Sequence, residues 1–373
     1  MFSIFISLEY DEDLIGNEKV RNKEMGLRKI SYESLWKFVQ GVLTKAGLDP
    51  ESVEAVTLGL CETSLRGVDT HGIRLLPHYV NSAEKGRKNP RPQYKITKKF
   101  PTVVFLDADH AFGHAAGMKA IDLAMGMAQE YGVGIVGVGN SSHPGAMASF
   151  ALKAARKGYL CLAFTHADAL LLSSNGIRPY FGTNPLCFSA PREEGEPYCL
   201  DMASSCIPWN KVRMHMDSGE MLPPHVAADE RGQETQNPQD ARCLLPTGGY
   251  KGYGIASMVE VLCAIFTGMS FGRQIPSMFK SPIEEPRRLG QFYMVMRADG
   301  CVDPQDFLRN MQAMTDEVRK EPSQAGLEVM LPGDKEEKEA ERRKLQGIPL
   351  EGKTLEEFLG LSERFGIPLS LLP

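Results

Sequence analysis

The sequence predicts an α/β fold in which helices cover a sheet, and three observations predict it. Apolar strand-like runs at residues 102–106, 133–138 and 159–164 alternate with helical patterns at about 115–131 and 145–157, a β-α-β-α-β order. The segments on either side read mainly as helices, so the sheet lies in the middle of the chain. The string Gly132-Val-Gly134-Ile-Val-Gly137 imitates a dinucleotide fingerprint, yet its glycines lead into a strand instead of following one and opening a helix. A Rossmann phosphate turn requires the latter, so these glycines read as a helix cap and small residues in a crowded strand.

Residues 1–27 read as an N-terminal extension, with Met25 an alternative start. Ser31 then caps a helix whose apolar stripe is Leu35, Phe38, Val39, Val42 and Leu43. Asp49-Pro50 supplies a cap and a first-turn proline for a second helix ending near Leu65, followed by the loop RGVDTHGIR. Residues 84–99 carry two prolines and a run of basic residues with few aromatics, which reads as a solvated connection and not a nucleic-acid patch. After a polar loop at 217–242, residues 255–266 are apolar nearly all round and predict a buried helix. GQFYMVMRA reads as a strand, and Asp334 with Glu337 predicts a capping box opening a helix whose charges face water.

Composition sets limits on function. The 373 residues carry a formal charge of −5, with 42% hydrophobic and 24% charged residues, which excludes disorder, collagen and a coiled-coil rod. No stretch approaches eighteen uncharged apolar residues, so no membrane span is predicted. The start lacks a basic leader and the eight cysteines are scattered without a C-x-x-C pair, so the expectation is a cytoplasmic protein with reduced thiols. His110 and His114 stand four apart, but no nearby ligand acid supports zinc, and no metal is predicted. The excess that stands out, 36 Gly and 24 Pro, points to loops.

Some of those loops carry chemistry. Gly248 to Gly254, with Lys251 among them, opens a helix, where free N–H groups and the helix dipole favour an anion. His143 follows a strand and precedes a helix, the edge at which α/β proteins place their sites. His71 lies in a Gly-containing loop with Arg74 three residues on. An imidazole moves protons near neutral pH and a guanidinium clamps a carboxylate, which is the equipment of 2-hydroxy and 2-keto acid chemistry.

Five strings, RGVDTHGIR, GVGNSSHPGAMASFALKAARKG, FGTNPLCFSAP, LDMASS and LLPTGGYKGYGIASMVEVL, occur in the order and spacing of the malate/L-lactate dehydrogenase type 2 family, which the chain resembles over about residues 28–365. That family includes ureidoglycolate and sulfolactate dehydrogenases and cyclic-imine reductases. The resemblance implies a non-Rossmann α/β cofactor domain at 99–249 and a helical substrate and dimerisation domain built from 28–98 with about 250–373. It implies a homodimer that takes NAD or NADP and a small 2-hydroxy or 2-keto acid. A cyclic-imine substrate is the alternative, and a non-catalytic binding protein a remote one.

By matching motifs, His143 is the expected general acid/base and His71 its polar neighbour, with Arg74, Thr70 and Tyr79 at the substrate. Ala167, Thr183, Asn184, Asp201, Met202, Ala203, Lys251, Pro332 and Gly333 are the expected cofactor contacts. The chain also departs from the family pattern. Thr70 replaces Ser before His71, Leu75 occupies the place where Arg is common, and Pro144 and Met147 alter the neighbourhood of His143.

Overall fold

Short polar side chains start the first two helices of the computed structural model, which describes residues 28–373. Ser31 Oγ accepts the Ser34 N–H at 3.1 Å to open Tyr32–Lys45, and the five apolar residues named above are buried on one face. The Asp49 carboxylate accepts the Ser52 N–H at 2.8 Å to open Pro50–Leu65. Each cap contributes about 1 kcal/mol. The expected extension at 1–27, Met25 included, lies outside the described residues.

A seven-stranded mixed sheet runs in the order Lys95–Phe100, Val103–Asp107, Val133–Ser141, Leu289–Arg297, Tyr159–Thr165, Leu186–Ala190, Tyr198–Met202. Only Val103–Asp107 and Val133–Ser141 pair in parallel, and the helix Gly113–Tyr131 lies between them in sequence. That helix lies so close to the sheet that a Cβ at Gly134 would stand 2.2 Å from the Ala124 carbonyl oxygen. Gly132 ends it at φ +84. The glycines that imitate a nucleotide fingerprint therefore cap and pack.

The expected division of the chain needs one correction. The strand expected at GQFYMVMRA is present as Leu289–Arg297, but instead of staying with the C-terminal segment it pairs antiparallel with Val133–Ser141 on one side and Tyr159–Thr165 on the other, at the centre of the sheet. Its residues are buried almost without alternation, the pattern of a strand covered on both faces. Asp334–Gln346, Ile348–Leu350 and Gly352–Phe365 pack against the N-terminal elements. Phe358 of Gly352–Phe365 stacks on Phe38 at 5.2 Å, and Ile348–Leu350 pairs with Arg28–Ile30.

Three further expectations are corrected. The 255–266 segment is the helix Tyr250–Glu260 with a π turn at Val261–Ile265, and it is buried on one side only. Val259 and Cys263 pack against Phe164 and Phe292 of the sheet, while Met258, Val261, Ile265 and Phe266 are 45 to 56% exposed among the described residues. Gly333, not Asp334, caps Asp334–Gln346, and the Asp334 carboxylate instead accepts from Arg319 at 2.7 and 3.0 Å. In the basic segment 84–99 the residues 84–86 and the edge strand Lys95–Phe100 are exposed, whereas Arg87 and Lys88 turn inward and are buried. No helix among the described residues is long and apolar enough to cross a membrane.

The approach of the 261–265 turn to the central strand leaves no room for a methyl group. A Cβ at Gly290 would stand 1.7 Å from the Cys263 carbonyl oxygen, a backbone atom that cannot rotate away. Gly290→Ala is expected to destabilise the protein by about 3 kcal/mol or more, read as a lower urea midpoint at unchanged slope. An unchanged midpoint would contradict this packing.

Candidate active site

The loop after Pro50–Leu65 folds into two short 3-10 turns, Asp69–His71 and Ile73–Leu75. Such a loop needs an outside anchor, and Arg343 supplies it. Its guanidinium donates to the Ser64 carbonyl at 2.7 Å and to both Asp69 carboxylate oxygens at 2.6 and 2.8 Å. Next to that forked contact, Thr70 Oγ1 lies 2.9 Å from His71 Nδ1.

His143 is set from the other side of the cleft. Ser142 Oγ donates to the Ala111 carbonyl at 2.9 Å and accepts the Gly113 N–H at 3.0 Å. Buried Gln291, on the central strand, donates to Ser141 Oγ at 2.9 Å and the Gly113 carbonyl at 3.2 Å. The two imidazoles end up stacked, with centroids 5.7 Å apart and planes 21° from parallel. Fully buried Tyr79 places its hydroxyl 2.8 Å from His143 Nδ1, and the Gly145 N–H points at the same nitrogen at 3.3 Å. His143 Nε2 is what remains for a ligand.

The surroundings keep both rings neutral. Burial pushes His71 down to about 4. It pushes His143 well below the usual histidine range, and His71, Arg287, Lys88 and His114 add to the effect. Lys88 is buried with its Nζ 3.4 Å from the centre of the Tyr79 ring and no hydrogen-bond partner among the described residues. His114, also buried, has no partner among them at either ring nitrogen and is lowered to about 3.

The cleft has a volume of about 830 Å³ and is lined by Thr70, His71, His143, Ala167, Thr183, Asp201, Met202, Ala203, Pro332 and Gly333. Its size falls within the range of pockets that enclose a small organic ligand. A Cβ at Gly182 would stand 2.4 Å from the Ala167 carbonyl oxygen. Asp201 Oδ2 accepts the Ala148 N–H at 2.8 Å. Among the described residues, no three His, Cys, Asp or Glu converge as metal ligands.

Four expected site residues do not line the cleft, and the first is Tyr79, which was expected at the substrate but lies fully buried behind His143. Buried Asn184 acts through its neighbours, accepting the Ala167 N–H at 3.1 Å and donating to Glu260 at 2.7 Å. Arg74, in the second 3-10 turn, is exposed in a neighbouring groove with its Nη1 3.7 Å from Met214 Sδ and does not line the cleft. Lys251, in the first turn of Tyr250–Glu260, is exposed and is not among the residues lining the cleft. The sequence reading missed Arg287 and Asp168, which form an ion pair in the cleft wall. A basic pair directly before a strand that enters the sheet was the only local signal for Arg287.

The family model described as malate/L-lactate dehydrogenase matches residues 30–359. The chain belongs to that family. It is an oxidoreductase. It is 31% identical over 323 residues to the NAD(+) ureidoglycolate dehydrogenase of Escherichia coli K12, covering 86% of this chain and 92% of that one. Among solved structures, malate dehydrogenase from Entamoeba histolytica matches with a TM-score of 0.87 at 27% identity, covering 92% of this chain and 99% of that one. The delta1-piperideine-2-carboxylate reductase of Pseudomonas syringae matches at 0.81 and 28%, covering 90% and 99%.

Asp201 provides a pH signature. Asp201 is open to the cleft, and desolvation by the surrounding walls, partly offset by the Ala148 N–H, raises its carboxyl from 3.8 to about 6. The folded form therefore holds a proton that the unfolded chain has already lost. Its contribution to stability is full below the unfolded value and is lost as pH rises through about 6. Urea midpoints measured from about pH 5 to about pH 8 are expected to fall for the wild type relative to Asp201→Asn. Parallel curves would remove Asp201 as the cause.

Proposed function

We propose that this protein moves a hydride between a nicotinamide cofactor and C2 of a small 2-hydroxy or 2-keto acid of the malate, lactate, ureidoglycolate or sulfolactate type. The observation that carries the reading is His143, pinned at Nδ1 by Tyr79 and left open at Nε2 in a cleft large enough for the reactants. NAD or NADP supplies the hydride acceptor or donor. Ala167, Thr183, Asp201, Met202, Ala203, Pro332 and Gly333 would hold it, since they line the cleft. Asn184 fixes Ala167, while the exposed positions of Arg74 and Lys251 do not support direct roles for them.

The Tyr79 hydroxyl suits His143 to both directions. When Nδ1–H donates to Tyr79, that hydroxyl turns toward the His143 carbonyl, 3.5 Å away, and Nε2 is a base for the substrate hydroxyl proton. When Nδ1 accepts from Tyr79 and the Gly145 N–H, Nε2–H can give a proton to the oxygen of a keto acid. Charging His143 fully on proton uptake is costly in this desolvated site, so Tyr79 and the stacked His71 bear on how readily the proton moves.

His143→Ala is expected to reduce turnover by roughly 100- to 10,000-fold while dinucleotide affinity, measured by calorimetry, stays within about twofold. Normal turnover would reject the assignment. A panel of 2-keto acids and cyclic imines, followed by NADH and NADPH absorbance, separates the hydroxy-acid reading from the imine reading that the Pseudomonas reductase makes reasonable. Failure to bind either dinucleotide would favour a binding protein that keeps the fold.

The same reading includes a cytoplasmic homodimer. Support comes from the exposed face of Met258, Val261, Ile265 and Phe266, an apolar strip of the kind a second copy covers. Sedimentation equilibrium is expected to give twice the mass of the 41.2 kDa chain, and a monomer at micromolar concentration would refute it.

A further inference from the structure

Resting on the acid-dehydrogenase reading, we propose that Arg287, held by Asp168, receives the substrate carboxylate. Four cationic side chains line the cleft, Arg66, Arg213, Lys280 and Arg287, and of these only Arg287 is buried. Arg213 and Lys280 are exposed, with Arg213 lying over the Phe279 ring at 5.1 Å. A solvated cation adds little to anion affinity, whereas a desolvated guanidinium adds much more and cannot lose its charge.

The Arg287 fork is already aimed. Its Nε donates to the Pro276 carbonyl at 2.9 Å and its Nη2 pairs with Asp168. Nη1 makes no hydrogen bond among the described residues, and its residue lines the cleft that His143 and His71 also line. Two of the three nitrogens fix the orientation and the third is left for a ligand oxygen. The position beside the chemistry is independently evident, since the charge of Arg287 bears on both His143 and Tyr79.

Charge balance points the same way. Behind Arg287 lies buried Arg87, whose guanidinium meets only carbonyls, of Met278, Ser281 and Pro282. Two permanently charged guanidiniums therefore face one inner carboxylate, Asp168, with Glu284 and Glu285 exposed outside. An uncompensated buried charge is costly, and an incoming carboxylate on Nη1 would offset it. Arg74, exposed in the neighbouring groove, cannot do so.

The test compares each acid with its methyl ester. Wild-type enzyme is first assayed on the keto-acid panel, and absence of hydride transfer to every acid would reject the underlying function independently of Arg287. For an active acid, Arg287→Met is expected to lower kcat/KM on the order of 100-fold or more through a raised KM, with little change for the neutral ester. Arg287→Lys keeps a charge but not the fork and should fall between the two. Dinucleotide affinity of each variant, by fluorescence titration, shows that the cofactor walls remain intact. Equal losses on acid and ester would show a structural role, and unchanged acid kinetics would show none; either overturns the proposal. If Arg287→Met does not fold, the acid-to-ester ratio of Arg287→Lys decides, and a ratio equal to wild type overturns the proposal.

Discussion

The central constraint is the insertion of Leu289–Arg297 between Val133–Ser141 and Tyr159–Thr165. Its backbone satisfies the inner edges of two strands at once, and the residues at its start do a second job. Gln291 ties down the Ser141-Ser142 turn before His143, and its side-chain oxygen accepts the Tyr293 hydroxyl at 2.7 Å. The Gly290 N–H donates to His166 Nε2 at 2.7 Å, just before Ala167. Arg287 enters the cleft because it leads into this strand. Removing the strand would open the sheet and unhook both sides of the site together.

Desolvation sets the chemistry. Unpartnered nitrogens on Lys88 and His114, and imidazoles kept neutral by burial, are expensive in an ordinary core. Here they surround one histidine whose charge must change during a turnover. Tyr79 links them, since its ring lies under Lys88 and its hydroxyl meets His143. The rest of the fold stabilises this expensive arrangement through an apolar core that runs from the N-terminal helices across the sheet to Leu361.

The local elements were legible in the sequence because their causes are local. Ser31 and Asp49 cap the helices they were expected to cap, and the β-α-β-α-β order appears in the sheet within one to three residues at most ends. Glycine capping and crowding at Gly132 and Gly134 followed from their place before a strand. His71 and His143 were recognisable from loop position and motif, and they meet. Failures came where a partner is distant. The 255–266 helix looked uniformly buried because hydropathy does not reveal that one face is exposed among the described residues. Arg343 looked solvent-facing in a charged helix, yet Asp69 and the Ser64 carbonyl turn it inward.

The sequence by itself determined the helix starts, the strands, the family and the two histidines, because each depends on short-range pattern or on a motif a few residues long. The tertiary structure decided which cations serve the cleft. A 3-10 turn sends Arg74 out to solvent, helix geometry leaves Lys251 exposed, and the central strand brings Arg287 to Asp168. Charge is a local property of a residue, but desolvation and direction belong to the packed chain, and these turn a basic side chain into a binding group.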